Sequence, residues 1–225
     1  MFSATAIADF LACRHLTALN RAYAEGEIKK PFFADPGLEL LKKLGLAHEQ
    51  AYLTHLTEQG LTIIEIPTDC SRREAATRTV EAIRGGAEVI YQASFLDDQW
   101  YGRADFLIRV HRPSKLGSFC YEVVETKLAR STKARAIIQL CFYSDLLSEI
   151  QGAVPEFMHV VLGGERHRRS FWYVIILHTS EKSGEILKPV MRRTRRHIPS
   201  QLNIAESAIG SLFVTSAGMM TIIFP

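Results

Sequence analysis

The segments YGRADFLIRV (Tyr101–Val110) and SFCYEVVETKL (Ser118–Leu128) decide how this 225-residue chain folds. Both are rich in β-branched and aromatic residues. The run HRPSKLGS that joins them carries Pro, Ser and Gly, so together they read as two strands and the loop of a hairpin. With the loop centred near Lys115, positions whose numbers add to about 230 face each other, and Asp105 comes to lie opposite Glu125 within cross-strand reach. Glu125 and Lys127 are two residues apart and therefore share one face of their strand. Two carboxylates and an ammonium meet at one place.

Working outward, AEVIYQASFL (Ala87–Leu96) is a further strand, set off by the turn signal Asp97-Asp98. Before it, Phe2 to Ala24 has the apolar spacing of one or two helices, and Glu25 to Gly37 is a turn-rich loop with two prolines. Leu38 to Gln59 is the clearest helix, with Leu40, Leu41, Leu44, Ala47, Ala51, Tyr52 and His55 recurring at three and four and Gly60 at its end. LTIIEIP (Leu61–Pro67) reads as a strand. Ser71, with Glu74 three residues on, opens another helix as a capping box, and Gly85-Gly86 closes it. After the hairpin, Thr132 to Ile150 is helical, ending at Gln151-Gly152, and FMHVVLG and FWYVIIL are two more strands. Helix, three strands, helix, two strands describe an α/β (α+β) fold, a central mixed sheet flanked by helices.

Composition agrees with a soluble globular domain: 47% apolar and 23% charged residues, which excludes a disordered chain, a coiled-coil rod and a disulfide scaffold. The formal charge is only +3, but Glu165 to His197 holds nine Lys or Arg against three Glu, a local +6 on a mildly acidic remainder. Cys13, Cys70, Cys120 and Cys141 form no C-x-x-C pair and signal no zinc site. No signal peptide is apparent, so the expected location is the cytoplasm. The uncharged stretch Ser207 to Pro225 is at the short limit for a bilayer span and is diluted by Gly, Ser and Thr; it is expected to pack on the domain or stay unfolded, not to anchor in a membrane.

The hairpin cluster points to chemistry. Hard carboxylate oxygens suit Mg²⁺ or Mn²⁺, and a divalent cation with a nearby lysine suits phosphodiester hydrolysis. An acid-x-Lys triplet alone carries nothing; Glu27-Ile28-Lys29 has the same spacing in a loop with no partner strand. Without Asp105, Glu125 and Lys127 would read as a solvated strand face. The apolar neighbours in YEVVETK place the charges instead at the rim of a buried strand. Gln139 and Tyr143 are four apart on one face of the following helix, a spacing equally at home on an ordinary amphipathic surface. Lys133 and Arg135 stand at the start of that helix, where its dipole favours anions. A lone histidine such as His48 is by itself most often a core or surface residue.

Taken together, His48 in GLAHEQ, Asp105 in GRADF, Glu125 and Lys127 in VVETK, and Gln139 with Tyr143 in QLCFY resemble the RecB-like branch of the PD-(D/E)XK nucleases. The stretch from about Phe2 to Gly163 is similar to the nuclease module that often precedes a helicase in that branch. The resemblance implies a restriction-endonuclease-like core over residues 1–190, with 191–225 a divergent or shortened tail. It implies His48, Asp105, Glu125 and the Thr126 carbonyl as ligands of Mg²⁺ or Mn²⁺. It makes Lys127 catalytic with Asp105 and Glu125, and places Gln139 and Tyr143 along the same cleft. The implied activity is a metal-dependent deoxyribonuclease acting on DNA ends or single strands in repair, recombination or defence, with a helicase as an expected partner. Glu125 stands where many members have Asp. Cys13 matches the first of four cysteines that bind an iron–sulfur cluster in several relatives, but no cysteine follows Cys141, so no cluster is expected. The alternative is a nucleic-acid-binding module without cleavage, or the remnant of a nuclease–helicase, using the basic segment 165–197. Binding through those arginines would be strongly salt-dependent.

Overall fold

The computed structural model describes residues 3–31, 33–97 and 100–173. The hairpin forms the middle of its sheet. Strands β3 (Tyr101–Val110) and β4 (Cys120–Lys127) pair antiparallel through Phe106↔Val124, Leu107↔Val123 and Ile108↔Glu122, the register expected from the loop centre. β2 (Val89–Leu96) runs antiparallel to β3 on the other side. Each end of this meander is extended by a parallel neighbour, β1 (Ile63–Glu65) beside β2 and β5 (Phe157–Leu162) beside β4. β6 (Arg169–Trp172) adds antiparallel to β5, so the order is β1-β2-β3-β4-β5-β6. A parallel neighbour requires a crossover, and helices supply both: α4 (Arg72–Arg84) between β1 and β2, α5 (Ala134–Gln151) between β4 and β5. The fold is α+β, a six-stranded mixed sheet flanked by helices.

The N-terminal segment forms two helices, α1 (Ala4–Ala12) and α2 (Arg14–Ala24). One sheet face packs against α1, α4 and α5, with Ile7, Ile83, Leu140, Leu147, Ile90, Leu107, Val123 and Val160 in a common core. The other face packs against α3 (Pro36–Glu58), where Tyr52 and Leu56 meet Val89, Tyr91, Phe106, Val124 and Val161. The alternation Val123/Val124 and Val160/Val161 divides the two cores, as the pleat requires.

Two local features differ from the sequence expectation. Ser71 accepts the Glu74 N–H at 3.2 Å, but the Glu74 carboxylate turns to Arg78 at 2.7 Å, so only half of the capping box forms. In α3, only Tyr52 and Leu56 are buried, whereas Leu38, Leu40, Leu41, Leu44 and Leu46 are 46–58% exposed. A helix of 23 residues spans roughly 34 Å at 1.5 Å per residue, and both of its buried residues, Tyr52 and Leu56, lie in its C-terminal half. Asp35 starts α3 with its carboxylate accepting the N–H groups of Gly37 (2.9 Å) and Leu38 (3.2 Å) and Pro36 in the first turn. Among the described residues no helix is long and apolar enough to cross a membrane. Most of the expected FWYVIIL strand, the tail 191–225 and the uncharged stretch 207–225 lie outside the described residues.

Candidate active site

The charged cluster sits one residue beyond Phe106↔Val124, where the β3–β4 ladder ends and side chains take over its hydrogen bonds. The Asp105 N–H donates to Glu125 Oε1 at 3.3 Å. Asp105 Oδ2 accepts both the Thr126 N–H (2.7 Å) and the Thr126 hydroxyl (2.8 Å), which fixes the Asp105 carboxylate against the next residue of β4. Lys127 Nζ donates to Glu125 Oε2 at 2.6 Å. The Glu125 side chain is 3% exposed and that of Lys127 32%, so the carboxylate is internal and the lysine is partly open to solvent.

Electrostatics follow from that placement. Burial, and then the neighbouring Asp105 charge, push the Glu125 carboxyl up to about 8, against the opposing pull of Lys127. Burial draws Lys127 down, but Glu125, Asp105 and Glu49 outweigh it and leave the ammonium above its ordinary value. Lys127 therefore stays a cation at neutral pH, suited to donate a hydrogen bond or offset developing negative charge and unsuited to act as a base.

Glu49 of α3 is the residue that the sequence reading passes over. It is half-buried, and its carboxyl is raised by burial first and by Asp105 second, which places it in the same electrostatic cluster. Its Oε1 accepts the side-chain amide of Gln92 from β2. The available signal was positional: Glu49 lies three residues before Tyr52 and seven before Leu56, so it continues the buried stripe of α3 as an ionisable group.

His48, its neighbour, has Nε2 3.1 Å from the Val161 carbonyl, and Val161 is the ladder partner of Thr126 in β5. A hydrogen bond to that carbonyl puts the proton on Nε2 and leaves the lone pair on Nδ1. His48 thus borders the cluster while anchoring α3 to β5.

Tyr143 comes to the cluster from α5. Its hydroxyl faces the Arg103 backbone N–H, and burial, then the charges of Glu125 and Asp105, raise it well above the ordinary phenol value, so it remains protonated. Its ring lies against Gly102 of β3, where an added Cβ would stand 2.5 Å from Tyr143 Cε1 and 3.0 Å from Phe142 Cε1. Only glycine permits that approach of helix to strand. Gln139 is half-buried one turn earlier on the same side of α5. Of the two basic residues at the start of this helix, Arg135 is held by Asp9 of α1 at 2.8 Å.

The donor set suits a hard divalent cation. Glu49, Asp105 and Glu125 supply three carboxylates and Lys127 one ammonium, a local deficit of positive charge around a buried group. The proton that Glu125 keeps up to about pH 8 removes one of those negative charges. All candidate ligands are oxygens apart from His48 Nδ1, the pattern of Mg²⁺ or Mn²⁺. Among the described residues no three of His, Cys, Asp and Glu stand close enough to form a ready ligand set. Cys13 is exposed between α1 and α2, Cys70 is half-buried, and Cys120 and Cys141 are buried in β4 and α5. Of the basic segment 165–197, Arg166, Arg168 and Arg169 are described, Arg169 paired with Glu165 at 2.5 Å; Lys182 to Arg196 lie outside the described residues.

Comparison of the chain with protein-family models and with curated proteins gives no match.

Proposed function

We propose that the protein is a divalent-cation-dependent phosphodiesterase acting on DNA, with a restriction-endonuclease-like core of the RecB-like type. The observation that carries this reading is the meeting of Glu49, Asp105, Glu125 and Lys127, from one helix and two strands, around a buried carboxylate. The resemblance of the motifs around His48, Asp105, Glu125, Lys127, Gln139 and Tyr143 supports the substrate class. Asp105 and Glu125 would hold Mg²⁺ or Mn²⁺, with Glu49, the Thr126 carbonyl and His48 Nδ1 as additional donors. When bound, the cation lowers the pKa of water and polarises a phosphoryl oxygen.

The chain's own residues do the rest. Thr126 holds Asp105 in one orientation through two hydrogen bonds to Oδ2, which leaves Oδ1 as the carboxylate oxygen for a ligand. Lys127, permanently charged, donates to the attacking water or to the phosphoryl oxygens as they gain charge. Tyr143, permanently protonated, is a second donor on the α5 side of the cleft, with Gln139 one turn away. Glu125 must release its proton before it can serve as a ligand, which links activity to pH.

Incubation with linear and circular, single- and double-stranded DNA in Mg²⁺, in Mn²⁺ and in EDTA tests this reading. Cleavage that EDTA abolishes is expected. Salt-sensitive DNA binding with no cleavage under any of these conditions would replace it by a non-cleaving nucleic-acid-binding module.

A further inference from the structure

We propose that Gln92 is a positioning residue of this site, whose left-handed backbone and side-chain amide together hold the Glu49 carboxylate beside Asp105. The proposal rests on the metal-dependent reading above and adds to it how the α3 ligand is kept in place. Gln92 has φ +58°, the only positive φ at a non-glycine position among the described residues, and it occurs in the interior of a strand. Such a conformation is strained for a residue with a Cβ and persists only where the surroundings enforce it.

The ladder shows what it does. β2 pairs with β3 at Val89↔Ile108, Ile90↔Leu107 and Tyr91↔Phe106 and resumes at Ala93↔Ala104, so the interrupted rung is Gln92 opposite Asp105. Residues two apart on a strand should face the same way. Here Tyr91 lies in the α3-side core and Ala93 in the opposite core, and Phe106 and Ala104 on β3 divide likewise. Both strands turn over at the same rung.

The consequence is a paired grip on α3. In a regular strand Gln92 would point away from the side that Tyr91 faces. With the backbone turned over, Gln92 Nε2 donates to Glu49 Oε1, while the Tyr91 hydroxyl accepts from Gln50 Nε2 at 2.8 Å and donates to the Glu49 carboxylate beside it. Two successive residues of β2 thus hold two successive residues of α3. Glu49 needs such a hold, because like charge on Asp105 favours its withdrawal into solvent.

Calorimetric titration of Mn²⁺ alone into the wild type, Gln92→Gly and Glu49→Ala, with thermal melts of each, tests the proposal. Glycine adopts positive φ freely, so Gln92→Gly should melt at or above the wild-type temperature yet bind Mn²⁺ about 10- to 100-fold more weakly, the usual loss when a ligand's hydrogen-bonding partner is removed. The Mn²⁺ concentration giving half-maximal DNA cleavage should rise by a similar factor, with a much smaller change in turnover at saturating metal. Gln92→Gly added to Glu49→Ala should weaken binding no further. Gln92→Asn, which also tolerates positive φ but is one methylene shorter, decides the matter if the glycine variant does not fold. Wild-type affinity for Mn²⁺ in a folded Gln92 variant would overturn the proposal. A wild type that binds no Mn²⁺ would overturn the metal reading itself, and this inference with it.

Discussion

Replacing Glu125 with Gln in the metal-free protein should make the fold more stable at alkaline pH, although it removes an ion pair. The unfolded chain ionises this carboxyl near its ordinary 4.5, while the folded protein keeps it protonated up to about 8. Between those values the native state binds the extra proton, so its stability falls with rising pH by about 1.4 kcal/mol per pH unit, reaching roughly 4–5 kcal/mol above pH 8. Glutamine does not titrate. It keeps an oxygen for the Asp105 N–H and for Lys127, and losing the charged partner costs about 1–3 kcal/mol. The stability of Glu125→Gln minus that of the wild type should therefore climb by about 1.4 kcal/mol per pH unit from pH 5 to pH 8 and then level off. Urea unfolding in EDTA at half-unit steps from pH 5 to pH 9 measures it. Because the difference is taken at each pH, the titration of the histidines largely cancels. Parallel stability curves for the two proteins would show that Glu125 titrates as it does in the unfolded chain and would refute the picture of a carboxyl held protonated by burial and the Asp105 charge.

The same proton should make Mn²⁺ affinity pH-dependent. Below about pH 8 it should fall about tenfold per pH unit with one proton released per metal bound, measurable by calorimetry in buffers of different ionisation enthalpy. Asp105→Asn should lower the Glu125 carboxyl, because it removes the second-largest cause of its elevation, and should also weaken Mn²⁺ binding; unchanged binding would exclude Asp105 as a ligand. Gly102→Ala should cost about 1–3 kcal/mol in denaturant unfolding, since its Cβ would meet the Tyr143 ring at 2.5 Å, and should lower cleavage as α5 shifts. On α3, Leu56→Ala should cost about 2–5 kcal/mol while Leu41→Gln stays within about 0.5 kcal/mol, because the first is 3% and the second 58% exposed.

The central hairpin was readable because its information is local. Strand composition, loop centre and the period of two together bring Asp105 opposite Glu125, and the ladder of Phe106 with Val124 has that register. Glu49 and Gln92 were not readable in the same way. Which of two adjacent residues on α3 meets the cluster depends on how the helix is rotated over the sheet, and the sequence motif drew attention to His48. Gln92 enters only because the backbone turns over there, and nothing in AEVIYQASFL marks a left-handed residue. The apolar periodicity of α3 misled in its first half: Leu40, Leu41 and Leu44 have the spacing of a buried stripe, but no described residue buries them. The half-formed capping box has a similar cause, since Arg78 one turn on competes for the Glu74 carboxylate.

The central claim is that Lys127 and the carboxylates around it carry out phosphodiester cleavage. The most direct measurement is the single-turnover cleavage rate of end-labelled DNA at saturating Mn²⁺ for the wild type and Lys127→Ala. Lys127 is one-third exposed, so its truncation leaves the core in place, and equal melting profiles verify this. The account predicts cleavage by the wild type and a rate at least about 100-fold lower in the variant, the usual loss on removing one transition-state donor. Equal rates, or no cleavage by the wild type, would contradict it.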